Sequence, residues 1–185
     1  MGPWSHDDIV FKTSHLDECG LSLVWLNPRS VSTEWLNSRL NTTLEDIFIQ
    51  SWSRNCIECN KSCSYNLYKP IFGFEHYLDC LPFCYRIAMT QLRTSNHKLP
   101  IEKGRYRHLA REERNCTLCN SEKIGDEFHL LLECPMLNTI RAKYIPKYYT
   151  SRPNFYKYSQ LLSSQNKNKL LKLSKFIKEG LAFFK

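Results

Sequence analysis

Apolar residues recur at spacings of three and four along much of this chain, which is the period of α-helices with one buried face. The clearest stripe comprises Trp35, Leu36, Leu40, Leu44, Ile47, Phe48 and Trp52. It predicts one long helix, or two helices joined near Asn41, because Thr42 and Glu45 have the spacing of a capping box.

Similar patterns predict that the rest of the chain is also helical, so we expect an all-α fold. The predicted helices cover residues 7–19, 64–68, 74–80, 82–92, 126–133, 135–144, 154–163 and 167–183. The pattern is lost between Thr94 and Arg114, where Pro100 and Gly104 interrupt a run dense in charge. This segment is predicted to be extended or looped.

The composition is that of a folded domain without a membrane span. Of the 185 residues 42% are apolar and 13% aromatic, which is too apolar for a disordered chain. The longest apolar run covers only residues 21–26, whereas a membrane-spanning helix needs about 20 residues. We therefore expect no membrane among the partners.

The net charge of +8 is concentrated in two stretches. Residues 92–114 contain seven Lys or Arg against three Glu, and residues 141–185 contain eleven against one. This excess favours RNA or DNA as a partner, although a solvated helix face would have the same composition. We divide the chain into an N-terminal helical region (1–92), a basic and metal-binding region (93–145) and a basic C-terminal helical tail (146–185), packed as one domain.

The nine cysteines contain a metal-binding pattern. The first residues lack the apolar stretch of a secretory signal, so we expect an intracellular protein, nuclear or cytoplasmic, with reduced cysteines. The spacing Cys116-x2-Cys119-x9-His129-x4-Cys134 offers the four ligands of a tetrahedral zinc ion. Four protein ligands leave no open position, which predicts one structural zinc in a small knuckle.

The second pair of ligands requires a break in the helix. His129 and Cys134 are five residues apart, about 140° around a continuous helix, so they could not face one ion from its middle. Pro135 is expected to end the helix and let Cys134 fold back. Asp126 or Glu127 is expected to orient the imidazole ring.

A second group of cysteines leaves the number of metal ions open. Cys56, Cys59 and Cys63 are followed, after a long gap, by Cys80 and Cys84, and four of these five could bind another ion. The last two lie among apolar residues, which fits small buried side chains equally well.

The chain has none of the common catalytic signatures. Those of zinc deaminases, His-Glu-x-x-His peptidases, P-loop proteins and Gly-x-Ser-x-Gly hydrolases are missing from the sequence. Asp7 and Asp8 are interpreted as a helix start and not as a polymerase pair, because Ser5 stands where an aromatic residue would be expected. We expect no enzymatic activity from the chain alone.

Three segments of the chain resemble a known family. They are Leu92-Arg-Thr-Ser-Asn-His-Lys-Leu-Pro-Ile-Glu-Lys-Gly-Arg-Tyr106, Cys116-Thr-Leu-Cys119 and Gly125-Asp-Glu-Phe-His-Leu-Leu-Leu-Glu-Cys-Pro135. Together they are similar to the C-terminal zinc-binding region of reverse transcriptases from non-LTR (LINE-type) retrotransposons. The resemblance implies a module that follows the polymerase in a longer polyprotein and binds template RNA or target DNA. It also implies that zinc binds to the four ligands named above.

Basic and aromatic side chains near the zinc motif can pair with phosphates or stack on bases. The candidates are Arg93, His97, Lys98, Lys103, Arg105, Tyr106, Arg107, Arg111, Arg114, Lys143 and Lys147. The alternative at this segment is a solvated loop with Tyr106 packed on the core.

The alternative function is a zinc-stabilised protein-interaction module derived from such an element. In that case the apolar side of the last helix would dock a partner. The residues on that side are Leu170, Leu171, Leu173, Phe176, Ile177, Leu181 and Phe184.

Overall fold

The computed structural model describes residues 17, 19–22, 24, 27, 31–59, 61 and 64–184. The chain divides into two compact units, residues 1–54 and 55–185. The described residues are mostly helical and include no strand, so the predicted all-α fold is confirmed there. The helix predicted over 7–19 lies almost entirely outside the described residues, as does the Asp7–Asp8 pair.

The first unit contains most of the longest described helix, α1 (Thr33–Glu58). Ser32 caps its start, because Ser32 Oγ accepts a hydrogen bond from Trp35 N at 3.2 Å. Of the two arrangements considered for this stripe, the structure has the single continuous helix. The hydroxyl of Thr42 donates to the carbonyl of Ser38 at 3.0 Å, so it bonds back to the preceding turn instead of capping a second helix.

The second unit consists of short helices. They are α2 (Tyr65–Tyr68), α3 (Tyr77–Cys80), α4 (Phe83–Arg93), α5 (Pro100–Tyr106), α6 (Asn138–Tyr144), α7 (Lys147–Thr150), α8 (Phe155–Leu162) and α9 (Lys167–Leu181), with 3₁₀ turns at Arg111–Glu113 and Pro135–Leu137 and a π turn at His129–Glu133. The pattern did not predict α5 or α7. Because α7 is a single turn, it is too short to show a helical period.

One hydrophobic core holds the second unit together. The longest helix of this unit, α9, packs against α4, α6 and α3, and its residues Leu173, Phe176 and Ile177 are buried there. Side chains from earlier in the chain, such as Met89 and Leu131, belong to the same core. The basic C-terminal helices are therefore part of the core of this unit.

The segment from Thr94 to Arg114 is not the loop that the sequence predicts. It contains α5, which begins at Pro100, where the fixed φ of proline suits the first helical position. Gly104 lies in the middle of α5, where an added Cβ would clash with Cγ of Arg114, whose side chain lies against the helix. With seven residues, α5 is too short to produce a visible period among so many charges.

Candidate metal centre and its basic surroundings

The first two ligands lie in a tight turn, the metal turn (residues 115–124), which is closed by backbone hydrogen bonds. Cys116 N donates to Lys123 O at 2.8 Å, and Gly125 N donates to Arg114 O at 2.8 Å. A Cβ at Gly125 would lie 3.0 Å from Cα of Cys116, so the chain packs more tightly here than another residue allows. The turn buries the side chains of Cys116 and Cys119.

The other two ligands are joined by the π turn. Cys134 N donates to His129 O at 2.8 Å, and this bond over five residues brings both side chains to one side of the chain. Asp126 starts the turn, because its Oδ1 accepts a hydrogen bond from His129 N at 2.9 Å. Cys134 has a ψ of 116°, outside the helical region, which agrees with the expected effect of Pro135. The π turn itself was not predicted.

The four ligand atoms meet in one buried cluster and all lie within 4.8 Å of one another. The sulfurs of Cys116 and Cys134 are 4.0 Å apart. The sulfur of Cys119 is 3.3 Å from Nε2 of His129. Two sulfurs bound at about 2.3 Å to a tetrahedral ion would be about 3.8 Å apart, so these separations leave room for an ion at the centre. The cluster could therefore bind a metal ion.

The buried thiols differ in how readily they ionise. Burial opposes the ionisation of Cys119, but hydrogen bonds from Ser121 and His129 outweigh it and lower the pKa of this thiol to about 6. Burial raises the pKa of Cys134 to about 12, and the neighbouring sulfurs of Cys116 and Cys119 add to the rise. Because thiolates are the form that binds metals, a cation at the centre would offset the cost of ionising the buried cysteines.

Glu133 is the carboxylate that contacts the histidine of the cluster. Its Oε2 lies 3.4 Å from His129 Nδ1, and its Oε1 accepts a hydrogen bond from Lys123 at 3.0 Å. Since Nε2 faces the sulfurs, this contact on the other nitrogen helps to orient the ring. The prediction of Asp126 or Glu127 in this role is wrong, because Asp126 bonds to the histidine backbone and Glu127 bonds to residues before α5.

Arg141, on α6, donates hydrogen bonds to carbonyls in and just after the π turn. It is buried, and its guanidinium donates to the carbonyls of Leu131 at 2.8 Å, Cys134 at 2.9 Å and Leu130 at 3.1 Å. This role of Arg141 was not predicted from the sequence. Within a basic stretch, no sequence signal separates a buried arginine from an exposed one.

Two of the predicted nucleic-acid-binding residues are buried, and their assignment is wrong. Arg93 is 3% exposed, and its guanidinium donates to Glu75 at 2.8 Å and to the carbonyl of Leu162 at 2.8 Å. The side chain of His97 is 1% exposed, with Nε2 2.9 Å from a carboxylate oxygen of Glu127. Both residues bond within the second unit and are not available to a phosphate.

Three further candidates bond to other parts of the protein. The guanidinium of Arg105 donates to Glu102 at 2.8 Å, and that of Arg114 donates to the carbonyl of Leu109 at 2.8 Å. Arg111 is exposed and reaches Asp126 at 3.4 Å. These contacts occupy N–H groups of both arginines, and Glu102 also offsets the charge of Arg105, whereas the backbone partners of Arg114 leave its charge in place. A weak surface pair leaves Arg111 accessible.

The remaining candidates are exposed. Lys98, Lys103, Tyr106 and Arg107 lie on or beside α5, whereas Lys143 and Lys147 lie on α6 and α7. Tyr106 is 69% exposed, and its ring centre is 4.6 Å from the guanidinium carbon of Arg105. The alternative in which Tyr106 packs on the core is therefore wrong.

The four described cysteines of the second group, Cys56, Cys59, Cys80 and Cys84, are not part of a comparable cluster of described residues. Cys56 and Cys80 are half-buried, Cys59 and Cys84 are exposed, and Cys63 lies outside the described residues. Within the part of the chain that the structure describes, the cluster around His129 is the only metal-type group of cysteine, histidine and acidic side chains.

The last helix, α9, does not offer an apolar face to a partner. The residues that the alternative function requires are buried in the core of the second unit or packed against it; they are Leu170, Leu171, Leu173, Phe176, Ile177, Leu181 and Phe184. Docking through this side of the helix is therefore wrong.

The chain matches no protein-family model, no curated protein and no solved structure. Among its described helices, none combines the length and the apolar character needed to cross a membrane. Its function has to be inferred from its own residues.

Proposed function

We propose that this chain is a nucleic-acid-binding module built around one structural zinc ion and without catalysis of its own. The proposal includes a relationship to the C-terminal zinc-binding region of non-LTR retrotransposon reverse transcriptases, which the motifs between Leu92 and Pro135 resemble. Its ligand is RNA or DNA. In a full-length relative, the polymerase would precede it in the same polyprotein.

The donor set of the cluster supports zinc as the metal. Three thiols and one imidazole form a soft set of four, which zinc prefers in structural sites. The ion would be held by Cys116, Cys119, His129 and Cys134, all of them buried. When bound, it supplies a crosslink between the metal turn and the π turn, and the four protein ligands leave no position for a substrate.

The observation that carries the nucleic-acid proposal is the exposed basic and aromatic face of α5. Lys103, Tyr106 and Arg107 are spaced three and four residues apart, so they share one face of the helix. This helix is tied to the metal centre, because Ile101 N donates to Gly125 O at 3.2 Å. Cations on such a face can pair with phosphates while the ring stacks on an unpaired base.

Fluorescence anisotropy with labelled single-stranded RNA and DNA tests this proposal. If three to five phosphates are contacted, the slope of log K against log salt should be about −2 to −3.5, using about −0.7 per contact on single strands. Tyr106→Ala should weaken binding by about 1–3 kcal/mol through the loss of stacking.

The matched control is Tyr156→Ala, because Tyr156 lies on α8 and is 70% exposed, close to the exposure of Tyr106. This variant should bind like the original protein. An affinity that does not change with salt, or equal losses in the two tyrosine variants, would contradict the proposal.

A further inference from the structure

A pocket of about 150 Å³ lies between α5 and the metal turn. Its lining includes Lys98, Lys103, Arg107, Arg114, Asn115 and Thr117. Thr117 stands between the two cysteines of the metal turn, so one wall of the pocket belongs to the metal centre itself. The pocket thus lies between the candidate metal centre and the basic residues of α5.

The charge of the lining is strongly positive. Lys98, Lys103 and Arg107 are exposed at its edge, and the last two are four residues apart, on one side of α5. Among the described residues of the lining, Glu113 is the only acidic one, and its carboxylate already accepts a hydrogen bond from Ala110 N at 3.1 Å. The described lining residues therefore carry four positive charges and one negative charge.

Arg114 contributes a positive charge whose position is fixed by hydrogen bonds within the protein. Its guanidinium is held by the carbonyls of Leu109 at 2.8 Å and Ile101 at 3.2 Å, and its stem lies against Gly104. Because these bonds fix the side chain in the folded protein, its positive charge stays at the pocket without further loss of conformational freedom. A preorganised cation of this kind favours a bound anion.

We propose that this pocket binds the terminal phosphate of a nucleic-acid strand, a proposal that rests on the proposed function and assigns a specific ligand group to it. A terminal phosphate carries a charge of about −1.5 to −2 at pH 7, whereas each internal phosphate carries one, so a pocket with four cations favours the strand end. A concave site also accepts an end more easily than the middle of a strand. Tyr106 shares a face of α5 with Lys103 and Arg107, where it can stack on the last base.

The test compares single strands of one sequence that end in a phosphate or in a hydroxyl, at the 5′ or the 3′ end, by anisotropy with the full chain. The phosphorylated strand should bind about tenfold or more tightly at one of the two ends, as expected for one or two additional charge-assisted hydrogen bonds. The double variant Lys103→Gln, Arg107→Gln should lose this advantage.

The control double variant Lys169→Gln, Lys172→Gln removes the same charge from exposed positions of α9 and should keep the advantage. If hydroxyl strands bind with salt dependence but a phosphate at neither end adds affinity, the pocket proposal fails while the proposed function stands. If no strand binds, both fail. If inorganic phosphate displaces the strand as effectively as a phosphorylated competitor strand does, the pocket is a site for free phosphate and the strand-end proposal is overturned.

Discussion

The second unit contains two Cys-x-x-Cys pairs with the same spacing and very different surroundings. Cys56 lies in the last turn of α1 and Cys59 follows its end, still within the helical hydrogen-bond pattern, since Cys59 N donates to Asn55 O at 3.0 Å. Cys116 and Cys119 lie in the metal turn. Cys56 is half-buried and Cys59 is exposed, whereas Cys116 and Cys119 are both buried.

The difference lies in what the rest of the chain brings to each pair. The metal turn meets His129 and Cys134 from the π turn, and Arg141 fixes the end of that turn. In the described residues, the pair at Cys56 and Cys59 gains no such ligands. The Cys-x-x-Cys spacing therefore indicates a possible metal site. Whether a pair forms such a site depends on further ligands from residues that are distant in sequence.

The largest expected contrast is between Cys116→Ser and Cys59→Ser. Structural zinc contributes an apparent free energy of about 10–16 kcal/mol in zinc-finger peptides, so losing one ligand should unfold residues 111–137 at least locally. Cys59→Ser should leave the fold unchanged, because Cys59 is exposed. Amide hydrogen exchange of residues 111–137 measures both effects. Unchanged protection after EDTA has removed all metal would contradict this account.

A smaller effect is expected from Arg141→Met. This variant tests how much the hydrogen bonds of Arg141 to the π turn support the cluster that contains Cys116 and Cys119. The guanidinium bonds to three carbonyls at the end of the π turn, and its removal leaves buried acceptors without these donors. We expect a loss of about 2–3 kcal/mol in the free energy of unfolding, together with weaker metal retention. Arg107→Met, at an exposed position, should stay within about 0.5 kcal/mol. Chemical denaturation compares the two, and equal losses would show that Arg141 has no special role.

The smallest effect is expected from Gly125→Ala, which probes the close packing of the metal turn. The added Cβ would lie 2.7 Å from Cγ of Pro100 and 3.0 Å from Cα of Cys116, so the backbone has to shift. We expect a destabilisation of about 1–2 kcal/mol, at the lower end of the usual cost of overpacking. Gly180→Ala is the matched control, since a Cβ there meets Leu130 at an ordinary 3.5 Å and alanine favours the helix. A thermal melt in which Gly180→Ala loses more than Gly125→Ala would oppose this explanation.

The sequence predicted that Cys116, Cys119, His129 and Cys134 come together, because their spacing and Pro135 are local features. It also predicted most helices of the second unit, and the longer ones among them, α4, α8 and α9, have apolar faces long enough to show a period. The π turn was not predicted, because its hydrogen bond from Cys134 N to His129 O has no signature in the local residue pattern, and Arg141, which donates to a carbonyl of the turn, lies outside the motif.

The accessible basic residues could not be separated from the buried ones by sequence. Arg93 and Lys103 both lie in a charged stretch, yet Arg93 is buried, where it donates to Glu75 and to the carbonyl of Leu162, and Lys103 is exposed. These partners are distant in sequence, so nothing near Arg93 indicates its burial. The same holds for His97 and its bond to Glu127.

The zinc content of the full chain, purified under reducing conditions and measured by native mass spectrometry, tests the central claim most directly. The account predicts one zinc per chain, none in Cys116→Ser and one in Cys59→Ser. Two zinc ions in the original chain, or one retained in Cys116→Ser and lost in Cys59→Ser, would contradict it.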